Sequence, residues 1–158
     1  MKPNGNTLLR PGGGSGIGEA LAQRFHDAGN TVIVAGRRRD ALERAIVGRE
    51  NMHAIELDVE SADGIADFAR RLLAEYPAVN VLINNAGIMR FEELDRARDL
   101  ADAEATITTN LLGPIRLINA LIDHLVKQPD AAIVNVTSGL AFVPLGSTPA
   151  YNATKAAI

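Results

Sequence analysis

Thr7-Leu8-Leu9-Arg10-Pro11-Gly12-Gly13-Gly14-Ser15-Gly16-Ile17-Gly18 is the stretch whose reading decides the fold. Thr7 to Leu9 is a short strand candidate that runs straight into Pro11 and the glycines. After them Ile17, Ala20, Leu21, Arg24, Phe25 and Ala28 recur at helical spacing, until Gly29-Asn30 gives a stop signal. A strand, a glycine loop and a helix in that order form an anion site. Free amides at the helix start and the macrodipole attract a pyrophosphate, and missing side chains let it approach. The spacing of Gly12, Gly16 and Gly18 is Gly-x3-Gly-x-Gly, which matches neither the GxGxxG fingerprint nor a P-loop, since no Walker lysine follows. A plain flexible turn is the competing reading of the loop taken alone.

Working outward, strand and helix patterns alternate. Thr31 to Ala35 is a continuous apolar, β-branched run, as expected of a strand covered on both faces. Asp40 opens a helix, His53 to Leu57 is a strand, and Ser61 caps a helix that Pro77 closes. Val79 to Ile83 is a buried strand ending in Asn84-Asn85-Ala86-Gly87. A long helix includes Leu111 to Val126, and Ala131 to Val136 is a fifth strand. Five strands separated by helices predict a doubly wound α/β fold with a parallel, Rossmann-like sheet, in one domain spanning residues 1–158. Ligands in such sheets bind beyond the carboxyl ends of the strands.

The chain has 158 residues, with 16 Lys and Arg against 19 Asp and Glu, a net charge of −3, and no cysteine. Weak acidity without a basic block argues against nucleic-acid binding. The absence of cysteine excludes a thiolate nucleophile and thiolate metal sites. His26, His53 and His124 lack paired ligand spacing, so no metal site is expected. No apolar run reaches the length of a membrane span. The N-terminus lacks a signal-peptide core, so a cytoplasmic protein without membrane partners is expected.

The chemistry-bearing residues cluster at strand exits. After the second strand comes Gly36-Arg37, where many dinucleotide folds carry an acid for the ribose 2′-hydroxyl. A guanidinium there suits a 2′-phosphate, so NADP(H) is expected over NAD(H). Arg38 and Arg39 read as a solvated basic turn. Asp58 can accept from an adenine amino group, cap the next helix, or sit in a surface turn. Tyr151 and Lys155, at i and i+4, share one helix face. The ammonium stabilises the charge left when the phenol gives up its proton. Ser138 can hold a carbonyl oxygen, and Asn110 can hold a water that relays protons to the lysine. Glu92, Glu93, Asp95, Arg96, Arg98, Asp99 and Asp102 read as a solvated helical face, and Met52 and Met89 as core or pocket fillers.

Together, and in this order, these features resemble the short-chain dehydrogenase/reductase family. The phrases GGGSGIGEALAQRF, NTVIVAGRR and VNVLINNAGIMR look most like its bacterial DltE-like branch. The resemblance implies that Tyr151 is the general acid/base and that Lys155 assists it and binds the nicotinamide ribose. It implies that Ser138 orients the substrate carbonyl and that Asn110 completes the tetrad. It places Gly12, Gly14, Ser15, Gly16, Ile17 and Gly18 along the pyrophosphate, Asp58 and Val59 at the adenine, and Asn85, Ala86 and Gly87 beside the adenosine ribose. Arg37, Tyr151 and Lys155 complete the expected cofactor contacts. The implied function is interconversion of a small-molecule alcohol and carbonyl by hydride transfer. A nucleotide-binding relative without catalysis is the alternative, and a methyltransferase would leave Tyr151, Lys155 and Ser138 unexplained.

Two departures from the family pattern stand out. Pro11 replaces the usual threonine and Arg10 an apolar strand residue. Weakened cofactor binding is expected from this, with Arg10 either reaching out to water or meeting a phosphate. Relatives also continue past the equivalent of Ile158. A truncated chain with an exposed sheet edge, a weakened tendency to form homo-oligomers and poor catalysis is therefore expected.

Overall fold

The computed structural model describes residues Met1–Ile158. Its sheet is five-stranded and parallel, in the order β3-β2-β1-β4-β5. The strands are β1 (Thr7–Pro11), β2 (Thr31–Gly36), β3 (Met52–Glu56), β4 (Val79–Asn84) and β5 (Ala132–Asn135). Helices α1 (Gly16–Asp27), α2 (Arg39–Ile46) and α3 (Ala62–Glu75) link the first four strands. Between β4 and β5 the chain forms α4 (Ala101–Ile107), a π-helical segment (Thr108–Leu112) and α5 (Gly113–Leu125) without a break. A 3-10 turn (Gly139–Ala141) and α6 (Pro149–Ala157) follow β5.

The period-2 alternation of strand side chains splits the core into two layers. Leu9, Ile33 and Leu82 face α3 and α5, meeting Ile65, Phe68, Leu72, Leu117 and Leu121. Leu8, Val32, Val34, Val81 and Ile83 face the other way, against Ala22 of α1 and Leu42 of α2. Each of these fully buried aliphatic side chains contributes about 1.5–3 kcal/mol of transfer free energy. Every residue of β4 is buried, as its mainly apolar run, interrupted by Asn80, requires of a strand near the middle of the sheet. Ser61 caps α3 as expected, its hydroxyl accepting from the Gly64 N–H at 3.0 Å.

Three expectations are corrected. Ile17, placed on the inward stripe of α1, is 71% exposed, and Leu21 is exposed as well. The face turned to the sheet is Gly18 and Ala22. The reason is steric: a Cβ on Gly18 would lie 1.8 Å from the Gly12 carbonyl oxygen, so only glycine lets the helix approach its own loop. The acidic and basic stretch from Arg90 to Leu100 is not helical; regular helix begins at Ala101. Met89 is exposed, whereas Met52 is in the core.

Arg10 does not reach out to water. It follows Leu8 onto the α1 side of β1 and is 1% exposed. Its Nε donates to the Gly18 carbonyl at 2.7 Å, Nη2 reaches the Ile17 carbonyl at 3.5 Å, and Nη1 has no partner. Burial alone lowers its pKa to about 10, so the guanidinium stays charged at neutral pH without a counter-ion. Pro11 has a different consequence. The Thr7 N–H points to the β4 side, at Asn80, and the Gly12 N–H to the β2 side, at Ala35. Alternation puts the missing Pro11 donor toward β4. The β1–β4 pairing accordingly ends at Leu9↔Leu82, while the β1–β2 pairing runs on to Pro11↔Ala35.

Candidate active site

The strand order changes direction between β1 and β4, and a cleft opens where these strands end. Its floor is Gly12. With φ of +73°, Gly12 takes a conformation that side chains resist, and a Cβ there would meet the Ala86 Cα at 2.9 Å. The Asn85 side-chain amide donates to the Gly12 carbonyl at 3.3 Å and ties the two loops together. Gly16, at φ +55°, has open space where a Cβ would be. The start of α1 is thus bare at Gly16.

The cleft comprises adjoining hollows of about 150 and 230 Å³. The first reaches Gly14, and both share a wall of Gly12, Ser15, Gly36, Arg37 and Arg38. The second runs on past Val59 and Glu60 to Ala86, Gly87, Ile88 and Thr109. Pro11 is buried and is not part of this lining. Arg37, expected to be free for a phosphate, has Nη1 on Glu60 Oε1 at 3.1 Å. Arg38, expected to be merely solvated, lines both hollows, and its Nη2 donates to Ser15 Oγ at 3.3 Å. Arg39 does pair in solvent, with Glu43. Asp58 is exposed and accepts from the Glu60 N–H at 3.0 Å, a local turn bond. A separate hollow of about 280 Å³ on α2 and β3 holds Arg39, Glu43 and Arg71, whose charges are paired within and beside it.

At the far end of the cleft, β4, the π segment and α6 converge. An ideal Cβ on Gly87 would lie 3.2 Å from Asn110 Oδ1 and 3.7 Å from Lys155 Nζ. Lys155 is buried, and burial lowers its pKa. Its Nζ donates to the Val136 carbonyl at 2.8 Å and lies 5.9 Å from the centre of the Tyr151 ring. An ammonium has three donors, so two remain for other partners. Tyr151 is half-buried on the same helix. Ser138 precedes the 3-10 turn, and its hydroxyl accepts from the Leu140 N–H at 3.2 Å.

The Asn110 side chain is bonded to protein on both its oxygen and its nitrogen. Oδ1 accepts from the Ile88 N–H at 2.8 Å, and Nδ2 donates to the Ile88 carbonyl at 2.8 Å and to Thr154 Oγ1 at 3.2 Å. Both donors are spent on protein, so the amide clamps the β4 exit to α6. The π segment is the local device that turns Asn110 to this position; such widened turns are frequent at functional sites.

Sequence reasoning missed Glu92. Its side chain is 3% exposed, paired with Arg98, and its Oε1 accepts from the Ala150 N–H at 2.9 Å. It therefore holds the first turn of the helix that carries Tyr151 and Lys155. Thr154 and Thr109 were also missed. Nothing in spacing alone marks them, because their partners lie 44 and 49 residues away.

The short chain dehydrogenase family profile matches residues 7–158. The chain belongs to the short chain dehydrogenase family. It is 42% identical over 160 residues to the uncharacterized oxidoreductase DltE of Bacillus subtilis, covering 100% of this chain and 63% of that protein. To the NADP-dependent 3-hydroxy acid dehydrogenase YdfG of Escherichia coli K12 it is 30% identical over 151 residues, covering 94% and 60%. The Pseudomonas aeruginosa RhlG/NADP active-site complex superposes with a TM-score of 0.88 at 26% identity, covering 99% of this chain and 66% of that one. The chain thus spans about six tenths of the length of these curated relatives. No helix is long and apolar enough to cross a membrane.

Proposed function

We propose that the cleft binds NADP(H) and that the protein interconverts a small-molecule alcohol and its carbonyl compound. The observation that carries this reading is the convergence of Lys155, Tyr151, Asn110 and Gly87 at one end of a cleft whose other end bears Arg37 and Arg38. The cofactor fits the residues present. The bare approach at Gly16, the glycine floor and the helix start suit a pyrophosphate, and two guanidinium groups at the β2 exit suit a 2′-phosphate. The relatives named for NADP support the same choice.

When bound, the nicotinamide supplies or accepts a hydride. The chain handles the proton and the geometry. Tyr151 donates its phenolic proton to the carbonyl oxygen during reduction and takes it back during oxidation. Lys155, fixed by the Val136 carbonyl, stabilises the charge on the phenol oxygen and keeps donors for the nicotinamide ribose. Ser138 donates to the substrate oxygen. Asn110 and Glu92 hold the β4 exit and the start of α6 in place.

A second reading, nucleotide binding without turnover, draws on one observation. The apolar lip after Ser138 is open, with Phe142 81% and Val143 75% exposed. The test is NADPH oxidation in the presence of simple ketones and 3-oxo acids, for the chain and for Tyr151→Phe. Oxidation that the substitution abolishes while NADPH still binds supports the first reading. Binding without oxidation in both proteins selects the second.

A further inference from the structure

The two arginines at the β2 exit differ in what holds them. Arg38 is bonded to a neutral hydroxyl, that of Ser15. Arg37 is bonded to a carboxylate, and that carboxylate is itself fixed. Glu60 Oε1 accepts from Arg37 Nη1 at 3.1 Å and from Thr109 Oγ1 at 2.9 Å. The Glu60 carbonyl accepts from Arg116 Nη1 at 3.1 Å, and its N–H donates to Asp58 Oδ1 at 3.0 Å. Four bonds thus hold Glu60 in the cleft wall, drawn from the β2 exit, the loop after β3, the π segment and α5. Its side chain is 31% exposed, against 58% for Arg37.

We infer that Glu60 sets the discrimination between 2′-phosphorylated and unphosphorylated adenosine in this cleft, by competing with the 2′-phosphate for Arg37. This rests on the nucleotide reading of the cleft given above. A phosphate arriving at Arg37 must share the guanidinium with a carboxylate and meets that carboxylate's negative charge. An adenosine with a free 2′-hydroxyl brings no charge to this point, and its hydroxyl can donate to a carboxylate. Thr109 Oγ1 holds the carboxylate on the cleft wall, and Arg116 and Asp58 fix the backbone that carries it. Arg38 therefore carries most of the attraction for a phosphate, and Glu60 keeps the preference for NADP(H) below what two free arginines would give.

The experiment is equilibrium binding of NADPH and NADH, followed by nicotinamide fluorescence, for the wild-type chain, Glu60→Gln and Glu60→Asp. Glutamine keeps an oxygen for Thr109 and Arg37 but removes the charge. Aspartate keeps the charge but withdraws it by one methylene. Glu60→Gln is expected to tighten NADPH by about fivefold, the scale of a partly exposed ion pair, and to leave NADH unchanged or weaker. Glu60→Asp falls between, and carries the test in the same direction if the glutamine variant fails to fold. An unchanged NADPH-to-NADH affinity ratio, or one shifted toward NADH, overturns the proposal while leaving the cleft reading intact. A wild-type chain that binds neither nucleotide overturns the cleft reading, and this proposal with it.

Discussion

The carboxylate of Glu92 accepts a hydrogen bond from the backbone N–H of Ala150, 58 residues further along the chain, at 2.9 Å. Helix α6 starts with Pro149, which has no N–H, and Thr148 gives no side-chain cap. Glu92 is thus the acceptor for the first available donor of the helix, and its negative charge sits at the positive end of the macrodipole. Replacing Glu92 with alanine leaves that donor and Arg98 without their partner. We expect a loss of about 2 kcal/mol in stability by urea denaturation, with faster amide hydrogen exchange confined to α6. Glu92→Gln, which keeps an acceptor, should recover part of the protection.

Arg10 is a charge where the strand needs a hydrocarbon. Replacing a buried charge by an apolar side chain of similar size is often stabilising by about 1–4 kcal/mol. Arg10→Met is expected to raise the melting temperature accordingly. The pH dependence has a definite sign. The folded-state pKa of about 10 lies well below the ordinary guanidinium value, so between the two the unfolded chain binds more protons. The destabilisation by Arg10 is therefore fully present below pH 10 and is relieved as pH rises past that value. The stability gap between Arg10→Met and wild type should be constant from pH 6 to 9 and shrink above about pH 10.

Asn110 makes three side-chain hydrogen bonds in a buried position. Asn110→Ala leaves the Ile88 amide and carbonyl unpaired, at about 1–3 kcal/mol for each buried group. A loss of about 3 kcal/mol is expected in denaturant titration. Asn110→Asp keeps the acceptor for the Ile88 N–H but has no donor for its carbonyl, so it should not restore stability.

Two glycines of one loop should respond differently. Gly18→Ala drives a Cβ into the Gly12 carbonyl and should prevent stable folding of the β1–α1 unit, read by circular dichroism. Gly16→Ala meets no protein atom. It costs about 1 kcal/mol for a left-handed backbone conformation, and its added methyl stands in open space at the start of α1, where the proposed pyrophosphate would sit. It should fold and lose NADPH affinity.

The order of elements was legible because each strand is a compact apolar run and each helix has its own stop signal, such as Gly29 after α1 and Pro77 after α3. The layers were less so. Helical spacing placed Ile17 and Leu21 inward, but the contact of Gly18 with Gly12 leaves room only for small residues there. The convergence of Lys155 with Asn110 and Gly87 was expected from the resemblance, whereas the bonds of the Asn110 side chain to Ile88 and Thr154 were not legible, since they join residues 22 and 44 positions apart. The pairing of Arg37 with Glu60, 23 residues on, and the place of Arg38 in the cleft lining were not legible, since no local spacing marks either. Glu92 looked like one more surface acid among its charged neighbours, since nothing local shows that a distant helix start comes to rest on it.

The measurement that bears most directly on the nucleotide cleft is an amide-resolved NMR titration of the chain with NADPH. Saturable shifts confined to Gly12 to Gly18, Arg37 and Arg38, and Ala86 to Ile88, with line changes at Tyr151 and Lys155, are the predicted result. An absence of saturable binding, or shifts that map to the α2–β3 hollow instead, would contradict it.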